Sequence, residues 1–303
     1  MTFYLPLTVL QPAFDGESVV APPYTVAKRK WEVGTLDLMT LSLHHTLHMP
    51  YEAMAVMLAD VHCEVAVTGN VSHLEAVDMA RSFRAALYGL RVSPSVVPYV
   101  ASHSTNDYAG INARNAPTPP ASLHEGLRDG ITSKTATVEV WPMELYMAAW
   151  RLYDRVELTE EKIREAASKA TAWRAMAATQ KPLVALERAL VASPLVAPVE
   201  QSILHLWSAI EALFPKVSTE VVFRLALYVA QLVEGQRGGD RRGYARRVRN
   251  AYNLRSKIAH GSVTDVDPDV WIDSWDIACD VYNAVHARGR LASEDELEDE
   301  ALS

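Results

Sequence analysis

Residues 198–215 read PVEQSILHLWSAIEALFP, and this stretch decides how the second half of the chain is interpreted. Large apolar residues recur in it at the spacing of one helix face. They are Ile203, Leu206, Trp207, Ile210 and Leu213. Proline is tolerated in the first turn of a helix but breaks a helix further in. The segment therefore predicts an amphipathic helix that Pro198 opens and Pro215 ends.

Helical signals continue on both sides of this segment. Further helices are predicted over about residues 159–178, 182–192, 218–234, 241–260 and 267–288. The third of them, STEVVFRLALYVAQLVE, is apolar enough to be predicted as largely buried. Thr159 before two acidic residues is a good N-cap, and Gly261 suits a left-handed C-cap. Residues 141–290 therefore predict an all-α domain.

The end of the chain has a different composition. Residues 294–300 read EDELEDE and hold six acidic side chains in seven positions. Such a charge run with little apolar surface is typical of a solvated segment. We therefore expect residues 291–303 to form a disordered acidic tail.

Residues 1–140 carry mixed signals. Strands are predicted over residues 3–10, 36–43, 61–67 and 134–141. One helix is predicted from Ser72, which forms a capping box with Glu75, to about residue 90. Residues 102–122 are dense in Ser, Asn, Gly and Pro and predict a long surface loop. The expected fold class is thus an α+β N-terminal domain followed by an all-α helical bundle.

Length and composition limit the classes of protein to consider. The 303 residues favour two domains, and 49% apolar with 22% charged residues is the balance of an ordinary soluble chain. No apolar run approaches the roughly 18 residues of a membrane span, and no N-terminal stretch has the pattern of a secretory signal. With only Cys63 and Cys279, far apart, a disulfide framework is excluded and a cytoplasmic location is expected.

Motifs for metal or cofactor chemistry are weak. Several possible metal ligands lie in the N-terminal half, but they lack the spacing of a known metal motif. They are His44, His45, His48, Asp60, His62 and Cys63. No Walker-type loop, GxSxG or GxGxxG sequence occurs either. We therefore expect no metal and no cofactor.

Charge is distributed very unevenly. The net charge is −8, yet residues 237–257 hold eight basic side chains against one acid, so this segment carries +7 and the rest −15. Local charge sets the field that a phosphate backbone meets. The segment therefore predicts a basic face that is either a solvated helix surface or a surface that binds the phosphates of RNA. Its residues are Arg241, Arg242, Arg246, Arg247, Arg249 and Lys257.

The basic segment leads into residues 252–261, YNLRSKIAHG, which pair Arg255 with His260. Upstream lie the segments EALF, at 211–214, and EVVFRLA, at 220–226. This combination resembles the Apea-like branch of the HEPN superfamily, whose pattern is E-x-L-F, then E-x(3)-R-x-A, then Y-x-x-R-S-x-x-x-H-G. The resemblance covers about residues 200–285.

The resemblance implies a helical bundle and a metal-independent endoribonuclease that dimerises, in a toxin or anti-phage defence role. Arg255 and His260 are the implied catalytic pair, with Ser256, Glu211 and Glu220 in support. Arginine can neutralise a phosphorane, and the helix dipole favours a protonated imidazole able to act as general acid. On a regular helix the two side chains lie about 140° apart, so they can act together only if the helix end unwinds, which Gly261 permits, or if two copies of the chain share the site.

Other interpretations remain open at this point. His260 could simply cap its helix, while Arg255 could form an ion pair with Glu211 or Glu220. The helical domain could then be a non-catalytic module that binds RNA or a nucleotide or holds a dimer together, and Ser256 in place of a larger polar residue favours this. A DNA-binding regulator has no supporting helix-turn-helix pattern. Core positions are predicted for Trp207, Trp271 and Trp275.

Overall fold

The computed structural model describes ten segments of the chain. These are residues 2–8, 10–29, 61–92, 95–96, 99–101, 138–140, 156–195, 198–235, 237–263 and 266–302. The predicted strand at 36–43, the predicted loop at 102–122, and four of the weak metal-ligand candidates lie outside them. Those four are His44, His45, His48 and Asp60.

The chain divides into two compact units. The first comprises Met1–Met143 with Asp154–Ala167, and the second comprises Glu144–Tyr153 with Ser168–Ser303. The boundary expected near residue 140 thus differs in one respect, because residues 154–167 belong with the first unit. A sheet region is followed by a mostly helical part, which is the coarse architecture that the sequence predicts.

The described strands of the first unit form an antiparallel sheet and a small parallel pair. They are β1 (Thr2–Thr8), β2 (Leu10–Ala13), β3 (Ser18–Ala21), β4 (Tyr24–Lys28), β5 (Val61–Thr68), β6 (Ser95–Val96), β7 (Tyr99–Ala101), β8 (Val138–Val140) and β9 (Val156–Thr159). The sheet order is β3-β4-β5-β1-β7-β8, with β6 also pairing β1, and β2 pairs with β9 in parallel. The predicted strand at 61–67 is confirmed as β5.

Helix α1 (His73–Gly89) covers this sheet along β1 and β5. The hydroxyl of its N-cap, Ser72, accepts from the backbone N–H of Glu75 at 3.3 Å, so the predicted helix start is confirmed. Tyr24 on β4 is buried beneath the helix, where its hydroxyl donates to the Met79 carbonyl at 2.9 Å and its ring lies 4.8 Å from that of Phe83.

Seven further α-helices lie in the described residues. They are α2 (Glu160–Ala177), α3 (Lys181–Ala192), α4 (Val199–Glu211), α5 (Val221–Glu234), α6 (Arg241–Ala259), α7 (Pro268–Arg288) and α8 (Glu294–Leu302). The first six match the predicted helices closely, although α4 ends at Glu211, four residues before Pro215. The opening stretch at 198–215 does place all five of its periodic apolar residues in the core.

The core of the helical unit is organised by buried tryptophans with polar anchors. The indole N–H of Trp207 donates to the Ser274 hydroxyl at 3.1 Å, and that of Trp271 donates to the Ser193 hydroxyl at 2.7 Å. Trp271 also stacks on Trp275, with ring centroids 5.6 Å apart. The three tryptophans predicted as core residues are confirmed as such.

The expectation of a disordered acidic tail is wrong, because residues 294–302 form α8. Ser293 and Glu296 make a capping box, in which the Glu296 carboxylate accepts from the Ser293 N–H at 2.8 Å and the Ser293 hydroxyl accepts from the Glu296 N–H at 3.3 Å. Arg290 binds the Glu296 carboxylate through both of its terminal nitrogens, which holds the pKa of Glu296 down at about 2. Local hydrogen bonds therefore order the acidic run.

Helix α8 is also docked against the bundle. Leu297 is fully buried where α8 packs on α5. The Glu294 carboxylate accepts from the backbone N–H of Lys216 at 2.8 Å, and the Lys216 ammonium lies 2.7 Å from Asp295. The apolar contact of Leu297 and the contacts of two acidic side chains with Lys216 thus hold the acidic helix against the bundle.

Replacing Leu297 by alanine should therefore destabilise the protein. A buried leucine cut to alanine costs about 2–4 kcal/mol through lost apolar burial and the cavity left behind. The free energy of unfolding from urea titration measures this. Leu302→Ala is the matched control, since Leu302 lies on the same helix and is 82% exposed. Equal stability of the two variants would mean that α8 does not dock.

Candidate functional site on the sixth helix

Helix α6 carries the Arg255/His260 motif, and its two ends are well defined. Asp240 caps the start, its carboxylate accepting from the Gly243 N–H at 2.9 Å. At the other end Gly261 adopts φ +69°, the left-handed conformation predicted for it. The N–H groups of Gly261 and Ser262 donate to the carbonyls of Ile258 and Lys257, each at 2.9 Å, which is the pattern of a Schellman cap. The helix therefore stays regular through Ala259.

Arg255 points into the bundle and binds Glu211 at the end of α4. One terminal nitrogen of its guanidinium lies 3.0 Å from the Glu211 carboxylate. The other carboxylate oxygen accepts from the Tyr252 hydroxyl at 2.6 Å, and the guanidinium lies over the Tyr252 ring, 5.4 Å from its centroid. The open question about the partner of Arg255 is settled in favour of Glu211.

This Glu211–Tyr252–Arg255 cluster is anchored to the core but remains reachable from solvent. The Tyr252 ring packs edge-on against buried Trp207, with centroids 5.4 Å apart. Burial, reinforced by the hydrogen bond to Glu211, raises the pKa of Tyr252 to about 12, so its hydroxyl stays protonated as a donor. The Arg255 side chain is 22% exposed and that of Glu211 is 29% exposed. A phosphate oxygen could therefore reach the guanidinium.

His260 lies apart from this cluster. It is the C-cap of α6, it is exposed, and its backbone N–H donates to the Ser256 carbonyl at 3.1 Å. Because α6 is regular between them, Arg255 and His260 project about 140° apart. The structure therefore brings Glu211 and Arg255 together but does not bring His260 to the same place within one chain.

Ser256 and Glu220 take positions that the motif did not specify. Ser256 is half-buried, and its backbone carbonyl receives the His260 N–H. Glu220 is exposed at the start of α5 and adopts the left-handed conformation, with φ 49° and ψ 39°. Its carbonyl accepts from the N–H groups of Phe223 and Arg224. Glu220 thus positions the first turn of α5 and has no described contact with Arg255.

The predicted basic face divides into two groups. Arg247 is turned toward α7, where it lies 2.5 Å from Asp273, 3.7 Å from Asp276 and 3.8 Å from Asp280. Asp280 also accepts from the Tyr244 hydroxyl at 2.9 Å. Arg247 thus differs from the other cations of the predicted face, because three carboxylates of α7 already surround its guanidinium.

Four cations of the predicted face remain on the outer surface. They are Arg242, Arg246, Arg249 and Lys257, named here the basic stripe. At 100° per residue they fall within a sector of about 80°. None of them has an ion-pair partner among the described residues. Arg241 is exposed as well, but its guanidinium donates to the Gln231 side chain at 2.9 Å.

The basic stripe ends at His260. At 100° per residue, His260 projects from α6 in the same direction as Arg242, about 27 Å further along the helix. The exposed histidine therefore lies in line with the exposed cations, while Arg255 faces the opposite way. The residue spacing along α6 already implies this alignment of His260 with the four cations. The structure adds that Arg247 faces α7 while those four cations face outward.

The exposure of Phe223 is not predicted by the sequence. Phe223 is 55% exposed, although its helix was expected to be largely buried. Among the phenylalanine, tyrosine and tryptophan side chains that the structure describes, it is the only exposed one. Most of α5 does follow the expectation, and Leu225, Tyr228 and Leu232 are among its buried residues.

Comparison of the chain with protein-family models, with curated proteins and with solved structures finds no match. Within the described segments, no cluster of three or more His, Cys, Asp or Glu side chains is arranged to hold a metal ion. Over the same segments, no helix combines the length and apolar character needed to cross a membrane.

The division of the basic face can be tested by stability. Arg247→Gln should lower the free energy of unfolding by about 1–2 kcal/mol, because three carboxylates then lose their shared cation. Arg246→Gln, one position earlier and exposed, should change it by less than about 0.5 kcal/mol. Urea titration of both variants is the measurement. Equal losses would contradict the assignment of Arg247 to the bundle.

Proposed function

We propose that the helical unit is a HEPN-type ribonuclease domain, which cleaves RNA without a metal ion and has His260 as its general acid. The observation that carries this proposal is the alignment of the basic stripe with the exposed His260. Cations spaced along one helix face attract a phosphate backbone whatever its sequence. A strand held along α6 would therefore pass the imidazole.

The chemistry needs no nucleophile from the protein. The ribose 2′-oxygen attacks the adjacent phosphorus and loses its proton to water, the bond from phosphorus to the 5′-oxygen breaks, and His260 donates a proton to that leaving oxygen. The products are a 2′,3′-cyclic phosphate and a 5′-hydroxyl. Such proton transfer by a positioned side chain contributes about 10²–10⁴-fold to the rate.

Arg255 would stabilise the charge that develops on the phosphorane. Glu211 and Tyr252 fix its guanidinium while leaving part of it accessible. Because Arg255 and His260 diverge by about 140° within one chain, the proposed site is composite, with the Arg255 of one protomer acting beside the His260 of another. A two-fold dimer supplies both combinations by symmetry.

A second candidate function is a non-catalytic RNA-binding module. The ion pair between Arg255 and Glu211 favours it, because an arginine with a carboxylate partner also has a purely structural use. The small side chain of Ser256 beside Arg255 is consistent with the same interpretation. The basic stripe would then be the functional surface by itself. For both candidates we propose a cytoplasmic protein, and for the first a toxin or anti-phage defence role.

Cleavage is tested by incubating the protein with RNA in EDTA. Transesterification by the 2′-hydroxyl should continue under chelation and leave 2′,3′-cyclic phosphate ends. His260→Ala should reduce the rate at least about 100-fold. His205→Ala is the matched control, because His205 is an exposed histidine on α4, outside this site. Activity that needs magnesium or manganese, or that survives loss of His260, would contradict the mechanism.

Assembly is tested by light scattering. The composite site requires a dimer of about 67 kDa, twice the 33.5 kDa of one chain. Arg255→Lys keeps a positive charge opposite Glu211 but loses the planar fork that binds two phosphate oxygens. It should leave the dimer intact and slow cleavage. A monomer that cleaves RNA at full rate would exclude the composite arrangement, and a dimer that binds RNA without cutting it would favour the second candidate function.

The basic stripe is tested by salt dependence. Replacing its four cations with glutamine should weaken RNA binding and reduce the slope of log K against log salt by about 3, at roughly 0.7 per contacted phosphate of a single strand. The cleavage rate of bound RNA should change little, because these cations act on phosphates away from His260. An unchanged slope would show that RNA does not follow the outer face of α6.

A further inference from the structure

We propose that Phe223 is a stacking platform for a base of single-stranded RNA bound along the basic stripe. This inference rests on the proposed function, since it requires that the helical unit bind RNA. It adds a contact to the bases, which the cations of the stripe cannot provide, and it makes an unpaired strand the preferred substrate class.

The exposure of Phe223 is the first observation in its favour. More than half of this large apolar side chain faces solvent, whereas Leu225, Tyr228 and Leu232 of the same helix are buried. Exposing an aromatic ring to water is unfavourable, and the bundle core does not use it.

The backbone that presents Phe223 is the second observation. Glu220, just before α5, is held with φ 49° and ψ 39°, a left-handed conformation that side-chain-bearing residues seldom adopt. Its carbonyl accepts from the Phe223 N–H at 2.9 Å and from the Arg224 N–H at 3.0 Å. The first turn of α5 is thus fixed at some cost in backbone strain, and the ring projects from a rigid element.

The position of Phe223 along the stripe is the third observation. Helices α5 and α6 pack along their lengths and are joined by residues 235–240, so they run antiparallel. The hydrogen bond from Arg241 to Gln231 sets their register. Phe223 lies eight residues before Gln231, and Arg249 lies eight residues after Arg241, about 12 Å along each helix. Phe223 is therefore level with Arg249 along the two helix axes.

An aromatic face beside a row of cations suits single-stranded nucleic acid. The cations hold the phosphates, and a base stacks on the ring with little dependence on its identity. The bases of a duplex already stack on one another, so a paired strand offers phosphates to the stripe but no free base to the ring. This difference separates a stacking role of Phe223 from a general effect on folding or charge.

The test measures fluorescence anisotropy of a labelled 2′-O-methyl RNA, which cannot be cleaved, as a single strand and as the matching duplex. Phe223→Ala should weaken single-strand binding about 10-fold, within the range known for base–aromatic stacking, and should change duplex binding by less than about twofold. Phe223→Trp should restore single-strand affinity. Neither variant should change the salt slope, because neither alters a charge.

Controls separate stacking from folding and assembly. Val270→Ala removes another exposed apolar side chain, on α7, and should leave binding unchanged. Thermal unfolding of Phe223→Ala should match that of the wild-type chain. Equal loss of affinity for single strand and duplex, or dissociation of a dimer on size-exclusion chromatography, would overturn the proposal and make Phe223 a structural or protein-contact residue.

The outcomes also distinguish this inference from the proposed function. If the stripe variant loses RNA affinity while Phe223→Ala binds single strands normally, the stacking site is disproved and RNA binding through α6 stands. If the wild-type chain binds neither the single strand nor the duplex, the proposed function fails and the stacking site fails with it.

Discussion

The Glu211 carboxylate, which accepts from both Tyr252 and Arg255, fixes the orientation of the helix on which the candidate site depends. Helix α6 has only four fully apolar or aromatic positions in the core, Val248, Ala251, Tyr252 and Ile258. Such a small apolar stripe sets the rotation of a helix weakly. The carboxylate contacts to α4 on one side and the Arg247 contacts to α7 on the other set it firmly, so the basic stripe must face outward.

Polar contacts used in this way are directional. A hydrogen-bonded carboxylate accepts donors only in a narrow range of geometry, whereas apolar packing tolerates some rotation of a helix about its axis. In α6 the charged side chains therefore do two jobs that depend on their angular position. Those facing inward determine which way the helix is turned, and those facing outward are left without partners in the described part of the chain.

Sequence periodicity was sufficient to predict most of the helices, because a helix that buries one face must carry apolar residues at the helical spacing. It failed at α8, where a single leucine carries the apolar contact and acidic composition conceals it. The Ser293–Glu296 capping box was present in the sequence and is the same signal that correctly placed α1. Arg246 and Arg247 could not be told apart in advance, since the carboxylates that engage Arg247 are 26 or more residues away in the chain. Part of the N-terminal prediction, including the strand at 36–43, lies outside the described residues.

At the site, helix geometry predicted the wide angle between Arg255 and His260, whereas charge alone left Glu211 and Glu220 both open as partners of Arg255. The structure shows the ion pair with Glu211. The sequence did not anticipate Phe223, which sits in an apolar run that gives no sign of its exposure.

The Schellman cap after His260 has a consequence for conformational entropy. The left-handed turn at Gly261 and the backbone hydrogen bonds around it hold the main chain of His260 in one conformation, so only two side-chain torsions remain to be fixed when the imidazole engages a ligand. Lys257, one turn earlier, has four such torsions to immobilise. Rotamer freedom is largest in long flexible side chains. The end of α6 can therefore order its histidine at a smaller entropic loss than any of the cations that lead to it.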